Sequence, residues 1–177
     1  MIVPLLAITG PSLKSVIFDL KKTLGVLEAT MAAIRHYCAY QDRCHSEVRS
    51  KLLGMECYGE DLEEAISILI EEDFLNEERY AQAYARGKFR MNKWGRIRIK
   101  QQLKLKKVSD YCIRKALAQL DEVEYAHTLH ELMQKKLATL SGERNEWIRK
   151  QKVYQHLLQK GYESDLVQDT WKAFDSQ

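Results

Sequence analysis

RIRIKQQL, residues 96–103, carries two periods at once. Arg96-Ile97-Arg98-Ile99-Lys100 alternates charged and branched apolar residues, as a half-buried strand does. Ile99 and Leu103 stand one helical turn apart, as on an amphipathic helix. The stretch alone does not decide between them. Two other stretches do, because EVRSKL (47–52) and KVYQHL (152–157) share the apolar spacing, do not alternate, and fit only a helix.

The match is one of register. Val48-x3-Leu52, Ile99-x3-Leu103 and Val153-x3-Leu157 are followed, ten residues after each leucine, by LEEAI (62–66), IRKAL (113–117) and VQDTW (167–171). Corresponding positions differ by 51 and then 54 residues. The same internal spacing three times over marks tandem structural units. The fold class that follows is all-α: three tandem three-helix repeats, at 26–72, 75–120 and 122–174, behind a leader of unreadable structure at 1–25. Helices are expected near 26–40, 44–53 and 60–72, near 76–91, 95–106 and 109–120, and near 122–140, 143–160 and 163–174. Val48, Leu52, Ile99, Leu103, Val153 and Leu157 are the expected core.

Composition agrees. The 177 residues contain two prolines, Pro4 and Pro11, so the repeats are free of the strongest helix breaker. Asn76, Ser109 and Ser164 are expected to open helices, and Gly161 suits a left-handed helix end. Lys107 stands in the register of Gly161, 54 residues earlier, so a left-handed turn is expected there too. In the leader, MIVPLLAI is too short to span a bilayer and lacks the basic start of a signal peptide. Ser15–Phe18 reads as extended.

Charge is segregated. Between Arg86 and Lys115 twelve basic residues face one acid, Asp110, a net +11 against +3 for the whole chain. Such a field attracts polyanions or complexes that contain them. Arg96, Lys100 and Lys104 form a stripe at i, i+4 and i+8, expected to face outward, with Arg90, Lys93 and Arg98 around it. The bland alternative is a solvated helix face. Trp94 can stack on a base or anchor a core at a helix junction, and Gly95 allows close backbone approach. From Met55 to Glu78 the reverse holds: ten acids and no Lys or Arg, read as a solvated acidic face.

No Walker loop, GxSxG, HExxH or glycine-rich phosphate cradle is present. The four cysteines, Cys38, Cys44, Cys57 and Cys112, form no CxxC pair and read as reduced structural thiols. A zinc site from Cys38, Cys44, His45 and Cys57 matches no standard ligand spacing, and His127 with His130 lacks further ligands. The expectation is a protein that is not an enzyme and takes no cofactor or metal.

In order along the chain, FLNEERYAQAYARGKF (74–89), KWGRIRIKQQLKLK (93–106) and VSDYCIRKAL (108–117) resemble RecX, the bacterial family that regulates the RecA recombinase. YCAYQDRCHSEVRSKL (37–52) and KVYQHLLQKGYESDLV (152–167) resemble the first and third units of that family. The resemblance covers about residues 26–174 and leaves the leader unexplained. It implies an elongated, curved helical array, a cytoplasmic monomer, lying in the groove of a RecA filament on single-stranded DNA. There it would restrain ATP hydrolysis, filament growth and strand exchange, in the context of homologous recombination, DNA repair and the SOS response. The DNA would be met directly or through the filament, with no membrane involved. Arg90, Lys93, Arg96, Arg98, Lys100 and Lys104 would be the contacts, with Trp94 among them. One departure is Lys107, where the family commonly has Gly. The alternative from another class is a helical module that binds nucleic acid directly and needs no recombinase; the salt dependence of binding separates the two.

Overall fold

The computed structural model describes residues 13–175, with side chains from Leu27 to Phe174. Nine α-helices and no strand are found among the described residues. They fall into three sets of three: α1 (Leu13–Tyr40), α2 (His45–Leu53) and α3 (Gly59–Glu71); α4 (Glu77–Asn92), α5 (Arg96–Leu105) and α6 (Asp110–Ala118); α7 (Glu122–Ala138), α8 (Glu146–Lys160) and α9 (Ser164–Asp175).

The residues that define the repeat are the ones that are sealed. Val48, Leu52, Ile99, Leu103, Val153 and Leu157 are all 0% exposed. RIRIK is helical, because Ile99 must share a face with Leu103 and not with Ile97, which is 42% exposed.

Each middle helix ends in the same turn. Glu56, Lys107 and Gly161 have φ of 60°, 61° and 93°. The N–H of the next residue returns to the buried leucine's carbonyl in each unit: Cys57 to Leu52 at 3.1 Å, Val108 to Leu103 at 3.1 Å and Tyr162 to Leu157 at 3.2 Å. That bond satisfies a carbonyl that the helix end leaves open. Only the third unit places a glycine there; the first two hold a side chain in a conformation that costs an L-residue about 1 kcal/mol or more.

Helix starts follow local chemistry. The side chains of Asn76, Ser109, Asp121 and Asn145 accept from the N–H groups of Arg79, Cys112, Glu124 and Ile148 at 3.0, 3.4, 2.7 and 3.1 Å. Ser164 also opens its helix as expected, though not through a side-chain cap. It is the first residue of α9, its hydroxyl shares a 2.6 Å hydrogen bond with that of Tyr154, and the Glu163 carbonyl accepts from Val167.

The leader reading is corrected. Ser15–Phe18 is helical, and α1 starts at Leu13 rather than near residue 26. Leu13, Ile17, Leu20 and Leu24 carry a helical period that the local Val16-Ile17 pair obscured. Residues 1–12 lie outside the described residues.

Three units do not make three cores. The first has its own, built from Met31, Ile34, Leu52, Leu62, Leu69 and neighbours. The second and third share one, in which Tyr125 of α7 lies 5.6 Å from the Phe89 ring and 5.0 Å from the Tyr162 ring. Cys44, at the start of α2, belongs to the shared core.

Candidate functional site

The basic unit is held from both ends by its middle helix. α5 has Gly95 at its cap position and no side chain to satisfy its first N–H groups. They bond to the third unit instead: Gly95 N–H to the Lys160 carbonyl at 2.9 Å and Ile97 N–H to that of Gly161 at 3.0 Å. Arg96 N–H donates to the Tyr125 hydroxyl at 2.9 Å, which donates to Glu163 at 2.8 Å. The positive start of α5 thus meets the negative end of α8, a favourable alignment of helix dipoles. One unit back the arrangement recurs, where Ser46 Oγ at the start of α2 donates to the Lys106 carbonyl at the end of α5, 2.9 Å away. Lys106 Nζ also reaches Glu47 at 2.5 Å.

Arg96 belongs to this joint. Its guanidinium stacks 4.2 Å over the Tyr125 ring, pairs with Glu122 at 2.6 Å and Glu163 at 3.9 Å, and leaves the side chain 22% exposed. The expectation that Arg96 leads an outward stripe is therefore corrected. α7 supplies an acid and a ring at the one place on α5 where a cation stands beside the next unit. Lys100 is exposed; Lys104 is exposed and pairs with Asp110 at 3.2 Å. Of the twelve basic residues from Arg86 to Lys115, Arg96, Lys104, Lys106 and Lys115 are in ion pairs. Within this segment the positive charge outside ion pairs is that of Arg86, Lys88, Arg90, Lys93, Arg98, Lys100, Lys107 and Arg114.

Part of that charge is organised. Lys93 ends α4 in the left-handed conformation, φ 54°, and the chain turns back so that Trp94 N–H donates to the Lys88 carbonyl at 3.3 Å. The Trp94 ring then lies between two cations, Arg98 at 4.3 Å and Lys88 at 5.2 Å. Lys88 is also 5.3 Å from the Tyr84 ring, which further meets Lys106 at 5.9 Å and the Tyr80 ring at 5.8 Å. The result is a strip, Arg98–Trp94–Lys88–Tyr84–Lys106, in which cations and rings alternate. Cation–π contact holds Arg98 and Lys88 in place without neutralising them, whereas Lys106 is already paired with Glu47, so the strip offers positive charge at Arg98 and Lys88 beside its rings. Arg98 is further fixed by donating to the Gln159 carbonyl at 3.1 Å.

The structure thus gathers Trp94 and Arg98, places half-buried Lys93 beside them, leaves Arg90 and Lys100 exposed elsewhere on the unit, and draws Arg96 inward. The sequence reading does not single out Tyr84, and it takes Lys88 only as part of the basic segment and Lys106 only as a flank of the stripe. The available signal was Tyr84-x3-Lys88, a ring and a cation one turn apart in α4.

The acidic run also changes character. Glu63, Glu72, Asp73 and Glu78 pair with Arg49, Arg35, Arg79 and Lys115, and Glu77 accepts from Ser109. Glu56, Glu60, Asp61, Glu64 and Glu71 remain an exposed face without ion pairs. Burial works against the charge of Glu47, but Lys106 and the Cys44 N–H outweigh it and hold the carboxyl below its ordinary pKa. All four cysteines are free and buried. Among the described residues no group of three or more His, Cys, Asp or Glu is placed to hold a metal ion, and no helix is long and apolar enough to cross a membrane.

Comparison with known proteins converges on one family. Two family models match, the second three-helix domain of RecX over residues 76–117 and the third over 122–171. The regulatory protein RecX of Clostridium perfringens (strain SM101 / Type A) is 32% identical over 124 residues, 70% of this chain and 58% of that protein. That of Lactococcus lactis subsp. cremoris (strain SK11) is 30% identical over 129 residues, 72% of this chain and 48% of that protein. The chain spans about half the length of these curated relatives. The crystal structure of RecX from Lactobacillus salivarius superposes with a TM-score of 0.79 at 25% identity, covering 87% of this chain and 99% of that one. With two successive domain models matched in order and the fold reproduced, the chain belongs to the RecX family.

Proposed function

We propose that this chain is a regulatory protein that restrains a RecA recombinase filament on single-stranded DNA, limiting ATP hydrolysis, filament growth and strand exchange. It acts without chemistry of its own, as a cytoplasmic monomer, by occupying the filament groove. The observation that carries this reading is the strip Arg98–Trp94–Lys88–Tyr84–Lys106, in which Arg98 and Lys88 have no acid partner while Lys106 is paired with Glu47. A filament groove offers phosphates and acidic side chains, and fixed cations meet either. The name "regulatory protein" carried by the relatives agrees with it. Arg90, Lys93 and Lys100 extend the contact, whereas Arg96 serves it only by holding the second unit against the third.

A second reading, direct binding of single-stranded nucleic acid, is favoured by the two rings of the strip, since bases stack on exposed aromatic faces. One experiment separates them. Purified recombinase with nucleotide and single-stranded DNA is mixed with wild type or with the Lys88→Glu/Arg98→Glu double variant, and ATPase and co-sedimentation are followed across salt. Inhibition lost in the double variant, and binding to DNA that needs recombinase, support the filament reading. Equal binding to DNA alone supports the other. A double variant that stays folded and inhibits like wild type removes the strip from the function.

A further inference from the structure

In the third unit, α8 and α9 leave a groove of about 410 Å³ between them, lined by Lys150, Gln151, Tyr154, Gln168, Trp171 and Lys172. Three observations give it a chemistry. The first is register. Lys150 stands 54 residues after Arg96, the repeat offset, so the two occupy the same place in successive units. Each meets a ring from another helix: the Arg96 guanidinium lies 4.2 Å over Tyr125, and Lys150 Nζ lies 5.2 Å from Trp171 across the groove. Arg96 also has its carboxylates, Glu122 at 2.6 Å and Glu163 at 3.9 Å, whereas Lys150 has no ion pair among the described residues. The third unit thus repeats the cation and the ring of the joint without its acid.

The second observation is an uncovered anchor. Trp147, Lys150, Gln151 and Tyr154 stand at i, i+3, i+4 and i+7, on one face of α8. Trp147 is 69% exposed, and tryptophan is among the residues enriched as anchors of protein interfaces. The third is the lining itself. No carboxylate lines the groove among the described residues. Gln168 donates to the Tyr154 hydroxyl at 3.3 Å, and that hydroxyl shares a 2.6 Å bond with Ser164, so one end is fixed and uncharged. The nearby Asp169 is held by Lys172 at 2.9 Å in a pair exposed on both sides, which contributes little to the fold. Trp171 is 8% exposed, so its ring is already covered and offers no platform for a base. What the face lacks is a carboxylate for Lys150 and an apolar side chain for Trp147.

We propose that this face docks an acidic segment of a partner protein, with a carboxylate on Lys150 and an apolar side chain against Trp147. The chain's own α7 is the pattern for it, since Glu122 and Tyr125 stand one turn apart and hold Arg96 by charge and ring together. Trp147 and Lys150 share that spacing. The face has no residue in common with the strip of the second unit, so it stands or falls independently of the filament reading.

The test is a titration of the isotope-labelled full chain, followed by the indole N–H signals of Trp94, Trp147 and Trp171. The probe is the free peptide DEVEYAHTLHELM, residues 121–133, and the control is the same peptide with Glu122→Gln and Glu124→Gln. Saturable shifts at Trp147 and Trp171, with Trp94 unmoved, are expected, and binding should weaken as salt rises. Lys150→Glu, Trp147→Ala and the control peptide should each weaken binding by about tenfold or more. Lys150→Gln keeps the test valid if the charge reversal disturbs Trp171. The proposal is overturned if the peptide moves neither indole signal, if the control peptide binds as tightly, or if Lys150→Gln or Trp147→Ala binds like wild type. It is also overturned if (dT)6 moves the same signals at lower concentration, which would mark a nucleic-acid surface.

Discussion

Gly95 and Gly161 meet backbone to backbone: a methyl group on Gly95 would lie 2.2 Å from the Gly161 carbonyl oxygen, and one on Gly161 would lie 2.3 Å from the Arg98 Cβ. Neither position admits a side chain, and the reason is the end-to-end joint between α8 and α5. Gly95→Ala is expected to push the joint apart and to cost about 1–3 kcal/mol by overpacking and lost hydrogen bonds. Gly87→Ala, inside α4 with open space around it, should instead stabilise by roughly 1 kcal/mol through helix propensity. Urea denaturation of the two variants checks both signs; equal effects would mean that the joint is not tight in solution.

The left-handed turns make a second pair of predictions. Lys107→Gly and Glu56→Gly should each stabilise by up to about 1 kcal/mol, because a glycine adopts φ near 60° without a Cβ penalty. Gly161→Ala should destabilise on two grounds, strain and collision with Arg98. Melting temperatures report the order, and a Lys107→Gly protein less stable than wild type would contradict it.

Charge reversal at Arg96 and at Lys100 should give different outcomes, though they stand one turn apart. Arg96→Glu would place a third carboxylate beside Glu122 and Glu163 and should cost about 1–3 kcal/mol. Lys100→Glu, with no ion pair to break, should shift stability by no more than about 0.5 kcal/mol. A filament-inhibition defect in Arg96→Glu accompanied by a lower melting temperature reports the joint; one without it would return Arg96 to the binding surface.

The contact between the first two units should depend on pH. The Glu47 carboxyl is held below its ordinary value in the folded chain, so its contribution is complete above the unfolded carboxylate pKa and is lost as pH falls through the lower folded one. Lys106 is raised: burial opposes its charge, but Glu47 more than compensates, so its share is complete below the unfolded lysine pKa and is lost as pH rises through the folded value. The contact should therefore be fully formed between roughly pH 5 and 10 and loosen outside that window. Protection factors at the start of α2, taken relative to the intrinsic exchange rate at each pH, should fall towards acid in wild type. In Glu47→Gln protection should already be low at neutral pH, and unchanged protection there would deny Glu47 the role.

What could be read beforehand was whatever repeats or sits locally. Val48, Ile99 and Val153 announced themselves by register, Lys107 by its offset from Gly161, and Asn76 by the acids behind it. Arg96 could not be oriented, because its partners Glu122, Tyr125 and Glu163 come from another unit and nothing near residue 96 foretells them. The alternating strip stayed hidden for a different reason: it exists only because Lys93 turns left-handed and folds Trp94 back over α4. Caps at Asp121 and Asn145 were legible in principle, as each precedes an acid in a first turn, whereas Ser164 spends its hydroxyl on Tyr154 rather than on the helix.

The division of the interior, one core for the first unit and one for the other two, sets how the chain comes apart on heating. Cooperativity follows shared packing, not sequence periodicity, so a molecule written in three verses should melt in two events. The seam falls at the start of α2 rather than between repeats, since its cap residue Cys44 packs with the second body while Val48 and Leu52, one and two turns further on, pack with the first. The start of that helix is thus a splint across the seam, and its few residues set how strongly the two events are coupled.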